Sequence, residues 1–155
     1  MKPMRRHKQQ LSEEMTLKLL DENTSGVLSL ASADGEPYGV PLNYARDGGG
    51  IYFHWAKAGS KVDLLKENNR ACFTVIAEDT IISEEYTSYF KSAMVFGRLE
   101  LLEGQDAVDA MTLLIEKYSS NQPLEEKEKE ARCERVLMVR LVPERISGKQ
   151  AIEYV

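Results

Sequence analysis

The stretch Phe53-His54-Trp55-Ala56-Lys57-Ala58-Gly59-Ser60-Lys61-Val62-Asp63 gathers more anion-binding chemistry than any other part of the chain. Alternating residues predict a strand through Trp55. Ser60, with Asp63 three residues on, predicts a capped helix just beyond. A helix N-terminus directs free amides and partial positive charge outward. Gly59 lets a bulky anion approach the backbone, Ser60 adds a hydroxyl, and Lys57 and Lys61 add two cations. A phosphate suits that set. The same residues also describe an ordinary capped helix with two solvated lysines, and local features leave both readings open.

A second set is Val40-Pro41-Leu42-Asn43-Tyr44. Proline cannot donate to a strand ladder, so Pro41 must face an edge, a bulge or a ligand. A planar heterocycle with donors and acceptors at its rim would use backbone groups left free there. An edge strand that its proline protects from aggregation gives the same pattern. His54 has no second histidine or carboxylate at ligand spacing, which speaks against a metal. Cys72 and Cys133 match no metal spacing and read as small buried hydrophobes. Nucleophile-elbow, Walker and dinucleotide glycine motifs are absent.

The elements that must position these residues follow from periodicity. Ser12 predicts an N-cap, with Glu13 and Glu14 in the first turn and Met15, Leu19 and Leu20 as the apolar face of a helix ending near Asp21. Strands are expected at 27–31, 37–44 and 51–55, turning at Asp34-Gly35 and at Asp47 to Gly50. In the third strand Ile51, Phe53 and Trp55 point one way, Tyr52 and His54 the other. A helix from Ser60 buries Val62 and Leu65. Residues 71–77 read as a strand buried on both faces, 78–89 as a polar loop, and 92–102 as a long strand. Ala107, Ala110, Met111, Leu114, Ile115 and Tyr118 recur at helical spacing. A charged helix over 124–135, a strand over 136–142 and a tail complete the chain. Hairpin-joined strands with interspersed helices predict an α+β, mainly β fold.

Composition narrows the function. The 155 residues include 43% hydrophobics, 20 basic and 25 acidic side chains, for a net charge of -5. That length fits one domain, residues 1–155, with 1–10 a basic arm that stays solvated or packs on a partner subunit. An acidic chain is a poor general binder of nucleic acid or anionic membrane. No apolar run is long enough to span a bilayer, and the basic start leads into Gln9-Gln10-Leu11-Ser12 rather than an apolar leader. A soluble, reduced, cytoplasmic protein is expected.

Taken together, Arg5-Arg6, Thr24-Ser25-Gly26-Val27-Leu28, Asp34 through Tyr44, Ile51-Tyr52-Phe53-His54, Ala56-Lys57-x-Gly59-x-Lys61, Phe73-Thr74-Val75, Thr87 through Ser92, Val95-Phe96-Gly97-Arg98 and Gly148-Lys149 have a familiar order and spacing. The chain resembles the nitroimidazole-resistance proteins of the pyridoxamine 5'-phosphate oxidase-like, FMN-binding split barrels. The resemblance implies a six-stranded antiparallel split β-barrel with flanking helices. It also implies a homodimer with FMN bound at the interface.

It places the FMN phosphate on Lys57, Gly59, Ser60 and Lys61, where the local pattern already suited an anion. It places the isoalloxazine ring along Val40, Pro41, Leu42, Asn43, His54 and Trp55, with Ser92 reaching in from the partner subunit. The arginine-lysine pair of the vitamin-synthesising oxidases corresponds here to Ser60-Lys61, with Lys57 as the replacement cation. The expected activity is FMN-dependent oxidoreduction of a small-molecule substrate. The alternative is a flavin or haem carrier or sensor without turnover, with His54 as the internal candidate for an axial haem ligand.

Overall fold

A computed structural model describes residues 2–155; Met1, the first residue of the basic arm, lies outside them. Helix α1 (Glu13–Glu22) starts where Ser12 accepts a hydrogen bond from the Met15 amide. It buries Leu19, Leu20 and Thr16; Met15 points to solvent, against expectation, and Thr16 takes its place on the inner face. Seven strands follow: β1 (Ser25–Ala31), β2 (Pro37–Asn43), β3 (Ala45–Asp47), β4 (Gly50–Trp55), β5 (Arg70–Ile82), β6 (Thr87–Leu102) and β7 (Leu137–Gln150). Helix α2 (Ser60–Glu67) lies between β4 and β5, and α3 (Gly104–Tyr118) and α4 (Glu126–Arg135) between β6 and β7.

The strands form one antiparallel sheet in the order β2-β1-β5-β6-β7-β4-β3. Its two edge strands, β2 and β3, are separated in the chain by Tyr44 alone. The sheet therefore curls until its edges nearly meet, the architecture of a split barrel. Tyr44 also explains the extra strand, because the expected 37–44 strand passes through it from one edge to the other. The residue is fully buried, its hydroxyl donates to Leu20 O, and the Tyr118 hydroxyl sits on its backbone. Lys117 lies 4.1 Å from its ring centroid, and burial lowers the pKa of that amine.

Inside the curl, Leu28, Leu30, Phe53, Trp55, Phe73, Val75, Val95, Val139 and Leu141 form the main core with α1 and α2. A smaller core of Tyr52, Met138, Ala107, Ala110 and Leu114 lies on the other side of β4 and β7, where α3 covers them. Alternation in β4 thus feeds two cores.

Three expectations change. Residues 78–89 are not a loop: β5 runs on to Ile82, a 3-10 turn of Ser83–Glu85 reverses the chain, and β6 begins at Thr87. The polar residues there belong to a hairpin with no fully buried position between 78 and 89. Residues 71–77 bury one face only, Phe73 and Val75, while Ile76 is 67% exposed. The segment 143–150 is the second half of β7, not a tail. The arm also docks from Gln9, whose side chain is buried and donates to Gln150 O, while Leu11 N donates to Gly148 O. Among the described residues no helix is long and apolar enough to cross a membrane.

Candidate functional site

The turn from β4 to α2 is built around Gly59, whose φ of 132° is in the range that favours glycine. Gly59, rather than Ser60, is the N-cap; Ser60 is already the first helical residue and makes no capping bond. The first helix bonds run from Val62 N and Asp63 N to Gly59 O, so the Ser60 and Lys61 amides lie ahead of them at the positive end of the helix. A Cβ built at Gly59 meets nothing within 4 Å, so space in front of the turn is open. Ser60 and Lys57 are exposed and Lys61 is half-buried, its Nζ 5.7 Å from the Trp55 ring centroid. Neither lysine has a carboxylate partner among the described residues.

Trp55 is buried, and its Nε1 has no hydrogen-bond partner. An unpaired buried N–H costs about 1–3 kcal/mol, and this one ends the strand that leads into the turn. Unpaired cations, unused amides, open space and an orphan donor fit a phosphate-bearing group.

The strand alternation divides the other expected residues. Val40 and Leu42 pack against the main core with Trp55. Pro41 lies opposite Val27, which lies opposite Thr74, Met94 and Ser147 across the sheet, so these five share its outer face. Asn43, two residues beyond Pro41, and Ser92, two before Met94, belong to that face too. Asn43 Nδ2 donates to Thr24 O. Ser92 lies three strands from β2, which suits a contribution to another copy better than to its own β2. His54 is exposed on the α3 side of β4. One chain therefore assembles the turn and the β2 edge but leaves Ser92 apart from them.

Two surface grooves flank α4. His54 lines one of about 430 Å³ with residues of α3 and the end of α4, including Arg132 and Arg135. Lys57 lines the other, about 500 Å³, with Glu130 and Glu134 among its walls. A larger cleft of about 620 Å³ between α1 and the β3–β4 hairpin contains none of the eleven expected residues. Its Arg46 is held by Asp21 at 2.7 Å, and Glu13, Asp47 and Glu144 line it beside Arg145, so the cleft offers a phosphate no net positive charge. The α4 arginines escaped the sequence reading because they look like part of a solvated charged helix. Their one signal is spacing, three residues apart and so on one helix side.

With the FMN phosphate on this turn, as the resemblance implies, Gly59→Val is expected to weaken FMN binding at least tenfold, since a β-branched residue at this φ would reshape the turn. Isothermal titration of both proteins measures it, and equal affinity would move the phosphate elsewhere.

A family model described as pyridoxamine 5'-phosphate oxidase matches residues 12–150. No curated protein matches the chain. Among solved structures, the chain is similar to a Bacteroides thetaiotaomicron protein described as a 5-nitroimidazole antibiotic resistance protein, at TM-score 0.79 and 19% identity over 91% of this chain and 86% of that one. It is similar to an FAD-binding protein of Mesorhizobium loti at TM-score 0.66 and 26% identity, over 92% and 96% of the two chains. It is also similar to the haem storage protein of Vibrio cholerae at TM-score 0.67 and 13% identity, over 89% and 94%.

Proposed function

Because the chain belongs to the pyridoxamine 5'-phosphate oxidase family, we propose that it is an FMN-binding flavoprotein that oxidises or reduces a small molecule. The observation that carries this reading is the β4–α2 turn, with its positive-φ glycine, unused amides and two unpaired lysines. Lys57, Gly59, Ser60 and Lys61 would hold the phosphate. Pro41 and Asn43, with the backbone of β2 and the end of β4, would hold the ring. When bound, the flavin supplies the redox chemistry. The chain's own part is to fix the phosphate, orient the ring against an edge strand and keep water from one side of it. No side chain of the turn is assigned a proton-transfer role.

We further propose a homodimer that completes the site. The outer face of β1, β5 and β6 carries Val27, Ile76 and Met94, which are 44%, 67% and 38% exposed, whereas α3 covers the outer face of β4 and β7. An apolar strip of this kind is a typical contact surface. It also holds Ser92, Pro41 and Asn43, so a second copy on it brings one chain's Ser92 toward the other's β2. Met94→Glu is expected to give a monomer by light scattering at micromolar concentration and to lose flavin with it. A Met94→Glu protein that stays dimeric and yellow would exclude this face.

The visible spectrum of freshly purified protein tests the cofactor, with flavin bands expected. Equal titration by riboflavin and FMN would refute the phosphate site. Haem is the second reading, favoured by the exposed His54 in a groove with two arginines; a Soret band would establish it.

A further inference from the structure

Lys149 is a free cation far from the β4–α2 turn. It lies opposite Ser92, which lies opposite Ile76, so the three form one row across the outer face of β5, β6 and β7. Its Nζ is 5.4 Å from the ring centroid of Phe90, two residues before Ser92, so the side chain runs along that face instead of leaving it. No carboxylate pairs with it among the described residues. Its backbone is held from both sides: Leu11 N donates to Gly148 O, Gln9 Nε2 donates to Gln150 O, and Gln10 bridges to Lys149 itself. The N-terminal arm thus straps β7 down at the residue that carries the cation.

Its position keeps Lys149 from serving its own chain's site. Trp55, at the end of β4, pairs with Leu137 at the start of β7. Lys149 is twelve residues further along that strand, roughly 40 Å of extended chain. Strand β2 is at the far edge of the sheet, with β1, β5 and β6 between. In the homodimer of the proposed function this face meets a second copy, whose Pro41 and Asn43 bring no counter-charge. A cation covered without an anion is costly, and the flavin lying against that β2 is the group that answers it.

We propose that Lys149 of each chain reaches the flavin held by its partner and donates to the pyrimidine edge of the ring, beside Ser92. An ammonium has three donors and no acceptor. The carbonyl oxygens and ring nitrogens of the pyrimidine edge accept, whereas the opposite edge of isoalloxazine is apolar. Reduction places negative charge on the pyrimidine edge, so a cation there holds the reduced ring more tightly than the oxidised one. The inference rests on the flavin and dimer readings. It adds to them a cation that acts across the interface and sets the potential, separate from the two lysines that hold the phosphate.

The test uses mixed dimers. Chains carrying Lys61→Ala and Lys149→Gln are co-expressed with different tags, and the dimer with one of each is purified and titrated with FMN. One site of that dimer then lacks both lysines and the other has both, so one FMN per dimer is expected to bind with wild-type affinity. If Lys149 served its own chain's site, both sites would be impaired and no tight site would appear. In the Lys149→Gln homodimer FMN and riboflavin should weaken alike, by roughly tenfold, unlike the FMN-only loss expected of Lys61→Ala. Its bound flavin should have a midpoint potential about 30 mV lower, a tenfold change for a two-electron couple. Lys149→Arg should restore most of that shift, and the urea midpoint should not move. The proposal alone is overturned if wild type binds flavin while Lys149→Gln matches it in affinity and potential, if only FMN is weakened, or if the mixed dimer has no tight site. Wild-type protein that takes neither flavin, or takes it as a monomer, sinks the flavin or the dimer reading first and this proposal with it.

Discussion

Gly97→Ala should lower stability by about 3 kcal/mol or more, the upper end of what overpacking costs. Gly97 is buried on β6, opposite Pro143 of β7, at the step where the pairing of the two longest strands shifts register. A Cβ there would lie 1.9 Å from Val142 O, 2.9 Å from Val142 C and 3.2 Å from Pro143 Cα. All three atoms are backbone, so no rotamer change relieves the overlap; β6 and β7 must separate. With domain stabilities of roughly 5–15 kcal/mol, such a loss is a large fraction of the whole. Urea unfolding should show a midpoint lower by roughly 1–3 M. Gly48→Ala is the control: nothing lies within 4 Å of its Cβ, and its effect should stay within about 0.5 kcal/mol. Equal midpoints for the two variants would mean that β7 does not pass this close to Gly97.

Lys61→Ala should weaken FMN by roughly 10- to 100-fold, the value of a charge-assisted contact of about 1.5–3 kcal/mol. Riboflavin, which lacks the phosphate, should bind both proteins alike. The apo protein should barely notice the change, because the Nζ has no carboxylate partner and its contact with the Trp55 ring, at 5.7 Å, is a weak one. Lys57→Ala should cost less, since Lys57 also faces a groove with Glu130 and Glu134 in its walls. The measurement is a pair of titrations, FMN and riboflavin, on each protein. Parallel losses for both ligands would show that Lys61 supports the ring or the fold rather than the phosphate.

Much of the fold can be read locally. Ser12 opens α1 because its hydroxyl is the acceptor that the first turn lacks. Asp34-Gly35 makes the β1–β2 turn with Gly35 at positive φ. Where the reading failed, long-range pairing had replaced local composition. Glu78, Asp79 and Thr80 form strand because Lys91, Phe90 and Tyr89 lie opposite them, not because they alternate with apolar residues. Ser147-Gly148-Lys149 resembled a tail, yet Gly148 is where α1 presses on β7: a Cβ there would be 2.2 Å from Thr16 Oγ1.

The site divides the same way. Its turn is contiguous in sequence, and its glycine and lysines are visible there, although the φ angle was needed to name Gly59 rather than Ser60 as the cap. The common outer face of Pro41, Asn43 and Ser92 depends on register through β1 and β5, which no local pattern encodes. The groove at His54 joins β4 to the end of α4, elements that meet only after β7 has paired with β4.

The strand order also sets a schedule for the chain as it is made. Strand β7 lies between β6 and β4, and it is the last of these seven strands to leave the ribosome. Until it arrives, the β3–β4 hairpin has no place in the sheet, and Phe53 and Trp55, among the largest side chains of the core, lack Val139 and Leu137 opposite them. Pairings this distant in sequence close late. A chain stalled before residue 137 thus offers β4 and β6 as two unpaired edges at once, the state in which nascent β-proteins aggregate or recruit chaperones. Strand β7 both completes the sheet and ends the interval in which its edges are vulnerable.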